Sequence, residues 1–139
     1  MSFLTWDSRY SIHVDVIDRQ HMKLMELINR LHDLMVNKEG GPSTVVADLI
    51  EYTKTHFGAE EELMERLEYP ELAHHRQLHK QLTKSVLGWK ADLDAGRPLS
   101  TRDVLSFLRD WLTSHIQRED KKIGEFILAR ARQNAKAPA

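Results

Sequence analysis

Residues 71–93 read ELAHHRQLHKQLTKSVLGWKADL, the segment of the chain with the most regular helical period. Steps of three and four residues alternate along it and connect Leu72, His75, His79, Leu82, Val86, Trp89 and Leu93. Residues at these spacings lie on one face of an α-helix, the face that a helix bundle buries. Two positions of that face hold histidine, so this helix is predicted to carry polar groups into the core.

Three more segments of the chain have the same helical period. Their core-facing positions are His21, Leu24, Met25, Ile28, Leu31, His32 and Met35 in the first, Leu49, Thr53, His56, Glu60, Leu63 and Leu67 in the second, and Val104, Leu108, Trp111, Leu112 and His115 in the last. The breakers between the four segments are Gly40-Gly41-Pro42, Tyr69-Pro70 and Gly96-Arg97-Pro98. Four long helices joined by short loops favour an all-α fold, the up-down-up-down antiparallel four-helix bundle.

The predicted boundaries follow from these breakers and from the ends of the helical period. An arm of residues 1–17 precedes helices at about 18–38, 43–67, 70–94 and 100–119, and a short C-terminal helix follows at about 121–133. Pro70 suits the first position of the third helix, and Ser100 with Asp103 resembles a capping box at the start of the fourth. The whole chain, residues 1–139, is expected to form one domain.

Composition excludes several classes of function. A formal net charge of -1 over 139 residues gives no sign of a nucleic-acid partner. The absence of cysteine rules out disulfides, iron–sulfur clusters and thiolate zinc sites. The N-terminus has no signal segment, and no apolar run approaches the roughly 20 residues that span a bilayer. We therefore expect a cytoplasmic protein with no membrane partner.

Apart from His32, which lies about 16 Å further along the first helix than His21, the ionisable residues of the core-facing stripes fall at one level of the predicted bundle. They are His21 in the first helix, His56 and Glu60 in the second, His75 and His79 in the third, and His115 with the following Asp120 in the fourth. Because alternate helices run in opposite directions, all of them lie within roughly 15 Å of the same bundle end, at a rise of about 1.5 Å per residue. Buried ionisable groups are costly unless they are paired or bound to metal, so the cluster indicates a metal site.

Local spacing determines which residues can reach one centre. The pairs in the second and third helices are four residues apart, and residues four apart share a helix face. His115 and Asp120 are five apart, about 140° around an ideal helix, so Asp120 joins the site only if the helix ends or bulges between them. In the run Glu60-Glu61-Glu62, the first residue is expected to face inward and the next two to face solvent.

The candidate ligands suit a pair of transition-metal ions. Five neutral histidines and two carboxylates are donors that iron and other borderline metals accept. If both carboxylates bridge the metals and one solvent-derived oxygen does too, the histidines supply five bonds, the carboxylates four and the oxygen two. Two octahedral ions need twelve bonds, so these eleven leave one position open, where dioxygen would bind a reduced di-iron centre.

The pattern resembles the hemerythrins, in particular the single-domain bacterial ones, over nearly the whole chain. The matching positions are His21, His56-x-x-x-Glu60, His75-x-x-x-His79 and His115-x-x-x-x-Asp120, with Asp18-Arg19-Gln20 before the first and Arg109-Asp110-Trp111-Leu112 before the last. Seven ligands at these spacings, in the expected helices, make a highly specific signature.

The resemblance implies two non-haem iron ions per chain, bridged by Glu60, Asp120 and an oxo or hydroxo group. The implied ligand sets are His75, His79 and His115 for one iron, and His21 and His56 for the other, which keeps the open position. Dioxygen would bind there reversibly, and small anions would bind the oxidised site. The implied role is therefore oxygen carriage, storage or delivery, and not that of an enzyme.

The resemblance also implies an apolar wall around bound dioxygen, formed by Trp111, Leu112 and Ile116. Such a wall would exclude the water and anions that displace dioxygen. One position departs from the family. Many relatives have a tyrosine three residues after the bridging aspartate, where this chain has Ile123, so any hydrogen bond from that tyrosine is absent.

Other functions are compatible with the same site. One is an oxygen or redox sensor module that signals to a protein partner the sequence does not identify, and another is detoxification of peroxide or nitric oxide. A ferritin-like di-iron oxidase is disfavoured because that class uses Glu-x-x-His on two helices, and only Glu71 with His74 has this spacing. A zinc hydrolase is disfavoured because the sequence has no His-Glu-x-x-His.

Overall fold

A computed structural model describes residues 3–37, 43–97 and 99–136. Within those ranges the elements are a short 3-10 helix at Ser8–Tyr10, α1 at Asp15–Asn37, α2 at Ser43–Arg66, α3 at Leu72–Asp94, α4 at Thr101–His115, a π-helix at Ile116–Asp120 and α5 at Lys121–Lys136. The predicted breakers Gly40-Gly41-Pro42 and Pro98, and the predicted end of the first helix at residue 38, lie outside these ranges. No helix in the described part of the chain combines the length and apolar character needed to cross a membrane.

The helices α1 to α4 form the predicted up-down-up-down four-helix bundle. α2 packs along both α1 and α3, and α4 packs along α1. The core between them includes Leu24, Ile28, Leu49, Leu82, Val86 and Leu108. Each of these residues belongs to one of the predicted core-facing stripes, so the helical period identified the buried faces. Removing this apolar surface from water is the main contribution that holds the bundle together.

The observed helix ends agree with some predicted boundaries, such as the start of α2 at Ser43 and the end of α3 at Asp94, and shift others. Ser100 Oγ accepts a hydrogen bond from Asp103 N at 3.3 Å, which confirms the predicted cap of α4. However, α1 begins at Asp15 instead of residue 18, and α5 extends to Lys136 instead of ending near residue 133. Shifts of this size arise because the terminal turns of a helix lack part of its hydrogen bonding.

The prediction that Pro70 starts the third helix is wrong. α2 ends in a Schellman-type cap, in which Glu68 has a positive φ of 54° and Tyr69 N donates to Met64 O at 2.9 Å. Pro70 then occupies the second position of a β-turn, which Leu72 N closes by donating to Tyr69 O at 3.2 Å. The fixed φ of proline suits that turn position as well as the first turn of a helix, so the residue type alone did not distinguish them.

The N-terminal arm is attached to the helices at the end of the bundle where the ionisable cluster lies. Buried Asp18 accepts hydrogen bonds from Ser11 Oγ at 2.6 Å and from Ile12 N at 2.9 Å. On its other side the arm meets α5, where a Cβ added to Gly124 would lie 2.1 Å from Ile12 O. The close approach therefore requires glycine at position 124, and the arm links α1 to α5.

Candidate metal centre

The seven ionisable residues predicted for the site come together inside one end of the bundle. They are His21 from α1, His56 and Glu60 from α2, His75 and His79 from α3, His115 from the end of α4, and Asp120 from the π-helix. None of them has more than 6% of its surface exposed. Antiparallel packing has therefore turned positions far apart in the sequence into one buried layer, as predicted.

Glu60 directs one carboxylate oxygen toward each of two histidine pairs. Its Oε1 atom lies 2.7 Å from His75 Nε2 and 3.3 Å from His79 Nε2. Its Oε2 atom lies 3.1 Å from His56 Nε2 and 3.6 Å from His21 Nε2. The two oxygens of this one carboxylate thus serve different sets of nitrogens.

Asp120 divides its oxygens in the same way. Its Oδ1 atom lies 2.9 Å from His75 Nε2 and 3.1 Å from His115 Nε2, while its Oδ2 atom lies 2.9 Å from His21 Nε2. The chain between His115 and Asp120 forms a π-helix, whose wider turn brings residues five apart onto one face. The predicted irregularity between these two residues is confirmed, and it is this π-helix.

The inward-facing atoms form two groups that share both carboxylates. One group comprises Glu60, His75, His79, His115 and Asp120, and the other comprises His21, His56, Glu60 and Asp120. The ligand atoms within each group lie within 4.8 Å of one another. This arrangement fits two neighbouring metal ions, one for each group, with the shared carboxylates between them.

Several buried polar atoms of the cluster have no hydrogen-bond partner among the described residues. They are both ring nitrogens of His21, Nε2 of His79, Oε2 of Glu60 and both carboxylate oxygens of Asp120. Some of these atoms are close together, as His21 Nε2 and Asp120 Oδ2 are at 2.9 Å, but they are not aligned for hydrogen bonding. Buried polar atoms without partners are costly, so their concentration in this cluster fits the binding of cations.

The two buried carboxylates of the cluster, Glu60 and Asp120, are stabilised by positive charge beside them. Burial lowers the pKa of His21, but the adjoining carboxylates of Asp120 and Glu60 outweigh burial and raise it to about 9. Burial likewise lowers the pKa of His75, and the same two carboxylates raise it to about 10. Burial raises the pKa of Glu60, yet the surrounding histidines bring it well below its usual range. Two buried carboxylates therefore need protonated histidines or bound metal beside them, and metal binding would release those protons.

Two hydrogen bonds outside the cluster orient its histidines. His56 Nδ1 donates to Gln20 Oε1 at 2.6 Å, and His79 Nδ1 donates to Glu61 Oε2 at 2.9 Å. Because each Nδ1 carries the hydrogen, each inward Nε2 keeps its lone pair for a metal. The prediction that Glu61 faces solvent is wrong, because its side chain lies at the border of α2 and α3, where it accepts the hydrogen bond from His79. Both acceptors directly adjoin a predicted ligand in the sequence, which is the signal that would have identified them.

Aromatic rings pack against two of the histidines. Phe57 stacks on His79 with ring centroids 3.7 Å apart and planes 1° apart, and Trp111 stacks on His115 with centroids 4.4 Å apart and planes 12° apart. These contacts restrict rotation of the imidazole rings. Sequence reasoning missed the role of Phe57, although it directly follows His56 in the chain.

An apolar cavity adjoins these aromatic rings. Its lining consists of Leu24, Ile28, Leu49, Thr53, Phe57, Leu82, Val86, Leu108, Trp111 and Leu112. Of the three residues predicted to form the oxygen pocket, Trp111 and Leu112 belong to this lining, and Ile116 is fully buried in the same core cluster without lining the cavity. Thr53 supplies the only side-chain hydroxyl of the lining.

Ile123, the position at which the resemblance implied the loss of a tyrosine hydroxyl, is fully buried. It packs with Met64 and Tyr69 in a second, smaller group of apolar residues. An isoleucine side chain has no hydrogen-bond donor, so position 123 offers none to Asp120, the residue three positions before it. This corner of the structure is therefore filled by apolar packing.

The chain matches known proteins over most of its length. The Hemerythrin HHE cation binding domain family matches residues 13–127. A bacteriohemerythrin from Stenotrophomonas maltophilia (strain R551-3) is 32% identical over 137 residues, which cover 98% of this chain and 89% of the relative. A bacteriohemerythrin from Methylococcus capsulatus is 30% identical over 131 residues, which cover 93% of this chain and 100% of the relative.

Solved structures of hemerythrin have the same fold. The wild-type hemerythrin crystal structure has a TM-score of 0.82 and 29% sequence identity, covering 89% of this chain and 97% of its own. A leucine-to-tyrosine mutant of hemerythrin has a TM-score of 0.84 at 29% identity, covering 90% of this chain and 97% of its own. Since the family match spans most of the chain and the relatives align over nearly their full length, this chain belongs to the hemerythrin family.

Proposed function

We propose that this chain binds dioxygen reversibly at a non-haem di-iron centre, for oxygen carriage, storage or delivery. The observation that carries the proposal is that Glu60 and Asp120 each present one oxygen to each group of histidines. A single metal ion would not need two carboxylates divided in this way, whereas two ions would be bridged by them. The matched relatives named bacteriohemerythrin support iron as the metal and dioxygen as the ligand.

The proposed ligand sets follow the two groups of atoms. They are His75, His79 and His115 for one iron, His21 and His56 for the other, and Glu60, Asp120 and an oxo or hydroxo group as bridges. When bound, the irons would supply an open coordination position and the electrons needed to hold dioxygen. The group with two histidines contributes fewer protein atoms, so an iron held there would keep the open position.

The surroundings of the cluster favour binding over turnover. Phe57 and Trp111 stack on His79 and His115, and together with Leu112 they form the apolar wall of a cavity. A dry wall of this kind excludes the water and anions that would displace dioxygen. The lining of the described cavity is apolar apart from the Thr53 hydroxyl, so it offers few groups that could deliver protons to dioxygen held there. We therefore propose a binding protein and not an enzyme.

The test is a cycle of oxygen binding and release with the iron-loaded protein. Reduced protein should gain a visible absorption band in oxygen and lose it under argon, through repeated cycles and with about two irons per chain. Oxidised protein should change its spectrum on addition of azide, a small anion, and metal-free protein should give neither response. One metal per chain, zinc as the metal of the purified protein, or steady consumption of dioxygen would contradict the proposal.

A further inference from the structure

The two groups of histidines differ in the residues that accept their outer hydrogen bonds. In the group with two histidines, His56 Nδ1 donates to the amide oxygen of Gln20 at 2.6 Å. In the group with three, His79 Nδ1 donates to the carboxylate of Glu61 at 2.9 Å. One histidine therefore donates to a neutral acceptor, and the other donates to an acidic side chain.

The contacts of Glu61 leave much of its negative charge available to His79. Its side chain is 25% exposed at the border of α2 and α3. Its Oε1 atom accepts a hydrogen bond from Arg76 Nε at 3.1 Å, while Oε2 is the acceptor for His79. Arg76 also pairs with Glu65, so one guanidinium is shared between two carboxylates.

The chemical difference between the two acceptors affects the metals. An imidazole that donates its outer hydrogen to a carboxylate is a stronger electron donor through its inner nitrogen than one that donates to an amide. The negative charge of the carboxylate also favours the higher charge of iron(III) over iron(II) by direct attraction. Both effects lower the reduction potential of the nearer ion.

We infer that Gln20 and Glu61 are positioning residues that act through His56 and His79 to make the two irons unequal. Glu61 lowers the reduction potential of the iron in the three-histidine group. Gln20 is uncharged, so the iron with the open position keeps a higher reduction potential and stays reduced more readily. The inference rests on the proposed di-iron function and deepens it, because the iron that meets dioxygen becomes the one less prone to lasting oxidation.

The test replaces each acceptor by its isosteric counterpart in the iron-loaded protein. Glu61→Gln removes the charge and keeps an acceptor oxygen, so the potential for reducing iron(III) to iron(II) by one electron should rise. Gln20→Glu adds a charge, so this potential should fall. Each shift is expected to be about tenfold in the one-electron equilibrium, or about 59 mV, in a mediated optical titration. Damage to packing would not produce shifts of opposite sign.

Glu62→Gln is the matched control. It removes the same charge one residue further along α2, from a side chain that is 67% exposed and pairs with Arg66. Water screens that position, so the equilibrium should change less than about twofold. Iron content and the urea midpoint of each variant, measured in parallel, report any loss of metal or stability.

Arg76→Gln is a second arm that leaves both acceptors in place. Removing the guanidinium leaves the charge of Glu61 less balanced, so the reduction potential should fall, even if Glu61→Gln proves unable to hold iron. Unchanged potentials in Arg76→Gln and Gln20→Glu, or shifts of the same sign in Glu61→Gln and Gln20→Glu, overturn the inference. Wild-type protein that lacks two irons or the reversible oxygen band instead overturns the proposed function, so the two failures are distinguishable.

Discussion

His115 Nε2 and Asp120 Oδ1 lie 3.1 Å apart, although an ideal α-helix would place these two residues on different faces. The π-helix at Ile116–Asp120 makes the contact possible. The same turn carries Ile116 into the core, where its side chain is fully buried. One irregular turn therefore completes the cluster and also continues the apolar packing.

Replacing Asp120 should remove metal without unfolding the protein. Asp120→Ala deletes a carboxylate shared by both groups of ligand atoms, so iron content should fall from about two per chain to below about one. Asp110→Ala is the control, because its side chain is 70% exposed on α4 and pairs with Arg109, and it should keep the wild-type iron content. Elemental analysis of proteins purified in parallel gives the iron content, and circular dichroism checks the fold. Full iron content in Asp120→Ala would show that Asp120 is not a bridging ligand.

Shortening Leu112 should reduce the lifetime of the oxygenated protein. Leu112 lines the apolar cavity and is 5% exposed, so Leu112→Ala opens space for water and anions beside the cluster. The oxygen-dependent band should decay several-fold faster at a fixed pH while two irons stay bound. The free energy of unfolding should fall by roughly 2–5 kcal/mol, as for other large-to-alanine changes in a core.

Ile116→Ala provides the comparison for that variant. Its unfolding cost should also be roughly 2–5 kcal/mol, because the side chain is fully buried. Its oxygenated form should decay faster than wild type but more slowly than that of Leu112→Ala, since Ile116 is not part of the cavity lining. Unchanged decay in both variants, with iron content intact, would leave these residues a role in packing alone.

The buried carboxylate of Asp18 should stabilise the attachment of the N-terminal arm. Asp18→Ala removes the acceptor for Ser11 Oγ and Ile12 N, so the free energy of unfolding should fall by roughly 1.5–3 kcal/mol. Asp15→Ala, at a side chain 75% exposed in a salt bridge with Arg19, should cost less than about 1 kcal/mol. Urea denaturation of both variants under one set of conditions measures the difference. Equal costs would show that the arm contributes little through Asp18.

A methyl group at position 124 should force the arm away from α5. The Cβ of Gly124→Ala would meet Ile12 O at 2.1 Å, so this variant should lose roughly 1–3 kcal/mol of stability. Gly88→Ala is the control, because a Cβ there has nothing within 4 Å and replaces glycine inside α3. It should gain up to about 1 kcal/mol from helix propensity. Thermal unfolding of both variants shows whether each change raises or lowers stability. A Gly124→Ala variant as stable as wild type would show that the arm can move away from α5 without cost.

The helices and the faces that they bury could be predicted from the order of the residues alone. Residues 71–93 predicted α3 because a helix exposes the same residues on one face whichever neighbour it meets, and Leu82 and Val86 are buried as that pattern required. The residues of the cluster were also visible in the sequence. In an antiparallel bundle, the number of residues between a side chain and the end of its helix gives its distance from the end of the bundle. His21 and His56 were therefore expected at one level before any contact was known. The five-residue step from His115 to Asp120 required an irregular turn for the same geometric reason.

Which groups support those residues depends on how the helices pack against one another. The hydrogen bonds from His56 to Gln20 and from His79 to Glu61, and the stacking of Phe57, depend on the rotation of each helix and on side-chain rotamers. A displacement of about 1 Å makes or breaks such contacts, since hydrogen bonds weaken steeply with distance and angle. A helical period fixes which face of a helix is buried, but it leaves undetermined which atom meets which across the interface. The acceptors that distinguish the two groups of histidines therefore became visible only after the helices were packed together.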